Sequence, residues 1–309
     1  MKKPRHILTL SDLTVDELKN VFEIAEDLKA KYFQGERPKR LDGQVLGMIF
    51  EKMSLRTRVS FESGMSALGG SSMLLEEKHI GLGTRESVKD VSRVLSSMVD
   101  CIVFRAKRHE TVEEFASYSS VPVINALTDK SHPCQALADM LTIKEEFGSL
   151  ENVCVAWVGD SNNVAASLVE ACSMLGCKIV ISSPDGYNFS QEEIAAMTGQ
   201  RQPGFELALV KDPREAVRSA NVVYTDVWVS MGQESEEEER KKVFQPYQVN
   251  ADLMKNAQRD AIFLHCLPAR RGLEVTDEVI DSPQSRVIQE AANRMHAQKG
   301  LLVWLLEKK

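Results

Sequence analysis

Short apolar runs alternate along this chain with stretches in which apolar residues recur every three or four positions. The runs at 45–50 (Val45-Leu46-Gly47-Met48-Ile49-Phe50), 101–104, 121–124, 153–158, 178–182, 222–225 and 261–264 are too short for helices and rich in β-branched residues, which predicts buried strands. Between them, Val88, Val91, Val94, Leu95 and Met98 share one helical face, as do Val164, Leu168 and Leu175. Leu137, Met140, Leu141 and Ile143 mark a helix over 133–147, and Phe61, Met65 and Leu68 another that stops at Gly69-Gly70. Strands separated by helices predict an α/β fold of two domains, each a parallel sheet flanked by helices. Gly148-Ser149 places the junction, giving domains at 1–147 and 148–286. A long final helix, from about 285 to 306, is expected to return to the first domain, so that 287–309 belong with it. The charge run Glu234 to Lys242 reads as a solvated helix or loop.

Composition narrows the function. The 309 residues are 43% hydrophobic and 27% charged, as in an ordinary soluble protein. A net charge of -7 with no basic stripe argues against nucleic-acid partners. No apolar run approaches the roughly 18 residues of a membrane span, and Met1 to Arg5 lead into no apolar signal segment, so a cytoplasmic protein is expected. The six cysteines, at 101, 134, 154, 172, 177 and 266, form no C-x-x-C pair and read as reduced thiols without structural zinc.

The residues able to do chemistry gather after the strands. Ser54-Leu55-Arg56-Thr57-Arg58 follow the first, Arg105 the second, and His132-Pro133-Cys134-Gln135 the third. Asn162-Asn163, Asp226 and His265-Cys266 follow strands of the second half. Ligands of open α/β sheets bind beyond the carboxyl ends of the strands, so these segments define a candidate site. Ser54 to Arg58 set guanidinium groups and hydroxyls at a helix N-terminus, an arrangement suited to phosphate oxygens. The second half, with Asn163, Asp226 and Cys266, suits a cation, so an anionic substrate facing a cationic one is expected. Gly159-Asp160-Ser161-Asn162 holds one glycine where a dinucleotide fingerprint needs three, and no P-loop pattern occurs. His265 and Cys266 are neighbours on a strand and face opposite ways, which disfavours a thiol–imidazole dyad and a covalent thioester; the thiol is better placed to orient an amine or help remove its proton.

Together these segments resemble the aspartate/ornithine carbamoyltransferase family over nearly the whole chain. Ser54-Leu55-Arg56-Thr57-Arg58 is similar to its Ser-x-Arg-Thr-Arg motif and His132-Pro133-Cys134-Gln135 to its His-Pro-x-Gln. Gly159-Asp160-Ser161-Asn162-Asn163, Asp226-Val227-Trp228-Val229-Ser230-Met231-Gly232 and His265-Cys266-Leu267-Pro268 resemble the segments that mark its ornithine branch. The resemblance implies a carbamoyl phosphate site of Ser54, Leu55, Arg56, Thr57, Arg105, His132, Gln135, the backbone carbonyls of Cys266 and Leu267, and Arg294. It implies an ornithine site of Asn163, Asp226, Ser230 and Met231, with Arg105, His132, Asp226 and Cys266 catalytic. It further implies transfer of a carbamoyl group to the δ-amine of L-ornithine by direct attack, in arginine biosynthesis. Neither a metal nor an organic cofactor is expected, a loop around Ser230-Met231-Gly232 closes over the substrates, and the chain forms homotrimers. Relatives acting on putrescine or an acylated ornithine, and a silent ligand-binding paralogue, are the competing readings. The chain departs from the family pattern at Leu55 and at Gly81, where a Gln or His usually reaches the neighbouring subunit's site; His79 and Arg85 are the nearby substitutes.

Overall fold

The computed structural model describes residues 4–76, 80–230 and 233–307. They form two compact units, one running to Ala138 and resuming at Ala292, the other spanning Asp139–Ala291. Each is a parallel sheet with helices packed on it.

In the first unit, β1 (Val45–Phe50), β2 (Ser71–Glu76), β3 (Cys101–Arg105) and β4 (Val123–Leu127) lie in the order β2-β1-β3-β4. The central strands β1 and β3 are buried almost throughout, as apolar strands covered on both faces must be. Helices α1 (Val15–Phe33), α2 (Leu55–Ala67), α3 (Val88–Ser96) and α4 (His109–Tyr118) cover them. Ile49, Leu95, Ile102, Phe104 and Phe115 form much of one core cluster, with Phe104 and Phe115 edge-to-face at 5.2 Å. Thr14 starts α1 with a reciprocal capping box, accepting from Glu17 N–H at 3.3 Å while Glu17 accepts from Thr14 N–H at 2.8 Å.

The second unit holds β5 (Cys154–Val158), β6 (Lys178–Ser182), β7 (Glu206–Val210), β8 (Val222–Tyr224) and β9 (Ile262–Leu264), in the order β7-β6-β5-β8-β9. Two helices run through the division between the units, α5 (Pro133–Phe147) and the C-terminal helix Val287–Leu306. Within the first unit the latter packs so tightly on α1 that a Cβ at Gly300 would lie 2.5 Å from the Val21 carbonyl oxygen. Only glycine permits that approach.

Two strands were not expected from the sequence, β2 and β7. Both are edge strands whose apolar residues, Met73-Leu74-Leu75 and Leu207-Ala208-Leu209-Val210, are only half-buried or exposed. The charge run also differs from the solvated segment expected, since helix Glu237–Phe244 buries Arg240.

Candidate functional site

Both sheets change direction at a defined point. In the first, β1 and β3 are neighbours whose onward connections leave to opposite sides, and in the second β5 and β8 play that part. Crevices at such switch points are where open α/β sheets bind ligands. The residues just past those four strands are Ser54 to Thr57, Arg105, Asp160 to Asn163, and Asp226.

In the first unit the side chains converge on Thr57, which is fully buried. Ser54 caps α2, accepting from the Thr57 N–H at 3.3 Å, and its hydroxyl lies 3.0 Å from that of Thr57. The Thr57 hydroxyl also accepts from Arg105 Nη1 at 3.5 Å and from Arg294 Nη2 at 3.0 Å. Arg294 Nη1 further meets Gln135 Oε1 and lies 3.2 Å from His132 Nε2. The register shifts between Phe104 and Arg105, where β4 carries one extra residue, Ala126, opposite the end of β3. His132 and Gln135 open α5, and neither α2 nor α5 carries an acid in its first turn. Three guanidinium groups thus accompany two positive helix ends whose first turns carry no acid, which fits a phosphate-bearing anion.

His132 is nearly fully buried, and burial followed by Arg294, Arg105 and Arg56 holds its pKa well below the ordinary histidine value. The ring is neutral. Because an arginine only donates, Nε2 accepts from Arg294 and the proton belongs on Nδ1. Arg56 is half-buried, whereas Arg58 is exposed and pairs with Glu62 along the helix at 3.0 Å. The second guanidinium of the sequence motif thus lies on the outer face. Leu55 is 73% exposed.

In the second unit Asp226 is the meeting point. Its Oδ2 accepts from Asn162 Nδ2 at 2.8 Å, and its Oδ1 accepts from the Cys266 thiol at 3.1 Å. Asn162 also caps α6 (Asn163–Leu175), accepting from Val164 and Ala165 N–H. Sequence reasoning singled out Asn163, which sits half-buried as the first residue of that helix; the side chain that holds Asp226 is Asn162. An asparagine just before a helical period is a cap signal, so Asn162 was findable. Leu267, half-buried, follows with φ at 56°, a left-handed turn that is costly for a branched side chain. Ser230 donates its N–H to Gln233 Oε1 at 3.0 Å. Met231, Gly232 and His79 lie outside the described residues.

Asp226, His265 and Cys266 offer three possible metal ligands within 4.8 Å of one another. The atoms are already committed. His265 Nδ1 accepts the Leu267 N–H at 2.9 Å, which sets the proton on Nε2, 3.2 Å from Glu274. Burial and then Asp226 push the Cys266 thiol well above its ordinary value, so it stays protonated and donates. This set orients hydrogen bonds better than it would hold a cation.

A third structure, unforeseen from the sequence, ties the loop after β8 to the loop after β5. Helix α7 (Glu237–Phe244) sends Arg240 inward, where Nη1 donates to Asp160 Oδ2 and to the Trp228 carbonyl, both at 2.9 Å. Its guanidinium also lies over the Tyr187 ring at 4.9 Å.

Comparison with known proteins decides the lineage. Residues 5–145 match the family model for the carbamoyl-P binding domain of aspartate/ornithine carbamoyltransferase, and residues 151–305 match that for its Asp/Orn binding domain. The chain belongs to the aspartate/ornithine carbamoyltransferase family. An ornithine carbamoyltransferase of Bacillus subtilis (strain 168) is 52% identical over 305 residues, covering 98% of this chain and 94% of that one. The solved structure of the ornithine carbamoyltransferase from Pyrococcus furiosus superposes with a TM-score of 0.93 at 48% identity, covering 98% and 97% of the two chains. The anabolic ornithine carbamoyltransferase from Campylobacter jejuni gives 0.91 at 40% identity, covering 97% and 98%. Of the Thr57-centred cluster, Ser54, Thr57, Arg105, His132 and Gln135 fall in the stretch matched by the carbamoyl-P binding domain, whereas Arg294 and the Asp226-centred cluster fall in that matched by the Asp/Orn binding domain.

Proposed function

We propose that this protein transfers the carbamoyl group of carbamoyl phosphate to the δ-amine of L-ornithine, giving L-citrulline and phosphate, in arginine biosynthesis. The observation that carries the reading is the pairing of chemistries: an arginine-rich cluster at two acid-free helix starts, and a carboxylate held by an amide and a thiol. Ser54, Arg56, Thr57 and Arg105, with the Leu55 backbone, take the phosphate; Gln135, Arg294 and the carbonyls of Cys266 and Leu267 take the carbamoyl group. His132, neutral and donating, meets the carbonyl oxygen as negative charge grows on it, a role for which a pre-aimed donor lowers the barrier by about 3 kcal/mol.

Asn163, Ser230 and Met231 hold the α-amino and carboxylate groups of ornithine, and Asp226 receives the δ-ammonium. That group titrates near 10.4 as an ordinary alkylamine, so it must lose a proton before it can attack. Asp226 and Cys266 orient it and assist loss of the first proton to solvent, and the departing phosphate accepts the second proton from the tetrahedral adduct. The protonated state of Cys266 argues for direct attack over a carbamoyl-thioester. The reading extends to a cytoplasmic homotrimer, supported by exposed apolar pairs on α2 and α3 in the first unit.

Incubating the pure protein with carbamoyl phosphate and a panel of amines, and measuring ureido products, tests the activity. Citrulline from ornithine is expected. Carbamoylation of putrescine or an acylated ornithine alone, or of no amine, refutes the reading.

A further inference from the structure

Behind Cys266 lies a group of acids that the proposed mechanism does not use. Asp139 on α5 and Glu290 on the C-terminal helix are 0% and 1% exposed. The hydroxyl of Tyr224, itself fully buried at the end of β8, lies 3.4 Å from Asp139 Oδ1 and 3.0 Å from Glu290 Oε1. Glu290 and Asp139 are also hydrogen-bonded to each other. The remaining oxygen of Glu290, Oε2, accepts the backbone N–H of His265 at 3.0 Å, one residue before the thiol that donates to Asp226.

We infer that Asp139 and Glu290 form a buried acid pair holding one shared proton, and that the Glu290–His265 hydrogen bond makes this pair a positioning device for Cys266 against Asp226. The hydroxyl of Tyr224 has a single proton, so it satisfies only one of two carboxyls. Two carboxylates in contact inside a protein cannot both be ionised, so the second hydrogen bond needs a proton of their own. Burial, and then Asp139, raise the pKa of Glu290 well above the carboxyl range, which puts the proton on Glu290. The proton then lies between the two carboxyls, and Oε2 accepts from His265.

The pair carries one net negative charge. Burial, then Asp226 and the charge of the acid pair, raise the Cys266 thiol, and Tyr224 is raised by burial and then by the same acids. Within the turn, His265 accepts the Leu267 N–H on Nδ1 and meets Glu274 with Nε2. The pair therefore does two things for the turn: it pins the backbone at His265, and it keeps Cys266 a donor to Asp226 where a thiolate would repel that carboxylate.

This inference rests on the ornithine reading for its kinetic consequence but not for its chemical one, so both are measured. Glu290→Gln reproduces a protonated carboxyl, with its carbonyl for His265 and its amide for Asp139, and is expected to hold kcat and both KM values within about threefold of wild type. Glu290→Ala removes both bonds and is expected to raise the ornithine KM about tenfold while leaving that for carbamoyl phosphate within about twofold. Glu290→Gln as damaging as Glu290→Ala, or Glu290→Ala with unchanged ornithine KM, overturns the inference. Citrulline formation by wild type separately tests the activity. Independently of turnover, iodoacetamide alkylation of Cys266 against pH, located by peptide mass, should have the same midpoint in wild type and Glu290→Gln. It should fall by about half a pH unit or more in Asp139→Asn/Glu290→Gln, which neutralises the pair. An unchanged midpoint in the double variant overturns the inference whatever the amine substrate proves to be.

Discussion

At the scale of single residues, burial separates side chains that the sequence presents as equals. Arg56 and Arg58 flank Thr57 in one motif, yet Arg56 contributes to the charge around buried His132 while Arg58 turns outward to Glu62. Arg56→Ala should therefore lower kcat/KM for carbamoyl phosphate by about 100-fold or more, since removing a clamp from a charged ligand costs several kcal/mol. Arg58→Ala should stay within about twofold, as an exposed helical pair contributes little. Steady-state kinetics with carbamoyl phosphate varied decide it, and equal losses would return Arg58 to the site. His296 makes a second prediction, on stability. It is 2% exposed, packs edge-on to Tyr32 at 5.3 Å, and burial followed by Lys299, Lys29 and Arg37 brings its pKa to about 3. A histidine lowered on folding from its ordinary 6.5 is fully stabilising above that pH; below it the unfolded chain takes up a proton that the native state refuses. Stability should fall by about 1.4 kcal/mol per pH unit from this residue as pH drops from 6.5 toward 3. Urea titrations at pH 7, 6 and 5 should show a shallower decline in His296→Gln by that amount, and parallel declines would refute it.

At the scale of elements, what the sequence made legible follows from where each element lies. The runs 45–50 and 178–182 coincide with β1 and β6 to the residue, and 101–104 and 153–158 differ from β3 and β5 by one position. These strands have a neighbour on each side, so apolarity is continuous and readable. The edge strands β2 and β7 face solvent along one side, and Ser71-Ser72 and Glu206 open them, so their apolar runs, Met73-Leu74-Leu75 and Leu207-Ala208-Leu209-Val210, are short and stay partly exposed. Helix α7 was hidden for a different reason. Eight charged residues between Glu234 and Lys242 look solvated, and nothing local distinguishes Arg240 from Lys241; its role comes from Asp160, eighty residues earlier. The same holds for Asp139, Tyr224 and Glu290, whose meaning arises only when three distant elements meet. Residues that follow strands announce themselves by position, whereas the side chains that support them do not.

At the scale of the whole molecule, the proposed trimer can be argued from what a lone chain leaves exposed. Leu55 and Val59 are one turn apart on α2 and are 73% and 51% exposed. Val94 on α3 and Met98 just past it, also four apart, are 51% and 71% exposed. Apolar pairs at that spacing present a stripe that water does not favour, and such stripes mark contacts between chains. The turn at Gly81 bears on how subunits would meet. Its φ is 65°, and a Cβ there would come within 2.6 Å of the Arg85 Cβ, so the turn is built around a missing side chain. Any contribution from a neighbouring subunit must then come from other residues of this segment. Sedimentation equilibrium should give a particle of about three 34.5 kDa chains, the assembly expected when one surface meets a different surface of the next copy and the ring closes. Val94→Glu with Met98→Glu places two charges in the second stripe, at positions assigned no role in binding either substrate. That variant should sediment as smaller species and unfold at lower temperature, because desolvating unpaired carboxylates in an interface is unfavourable. A wild-type protein that sediments as a single chain removes the trimer, and a double variant that stays trimeric removes this stripe from the interface.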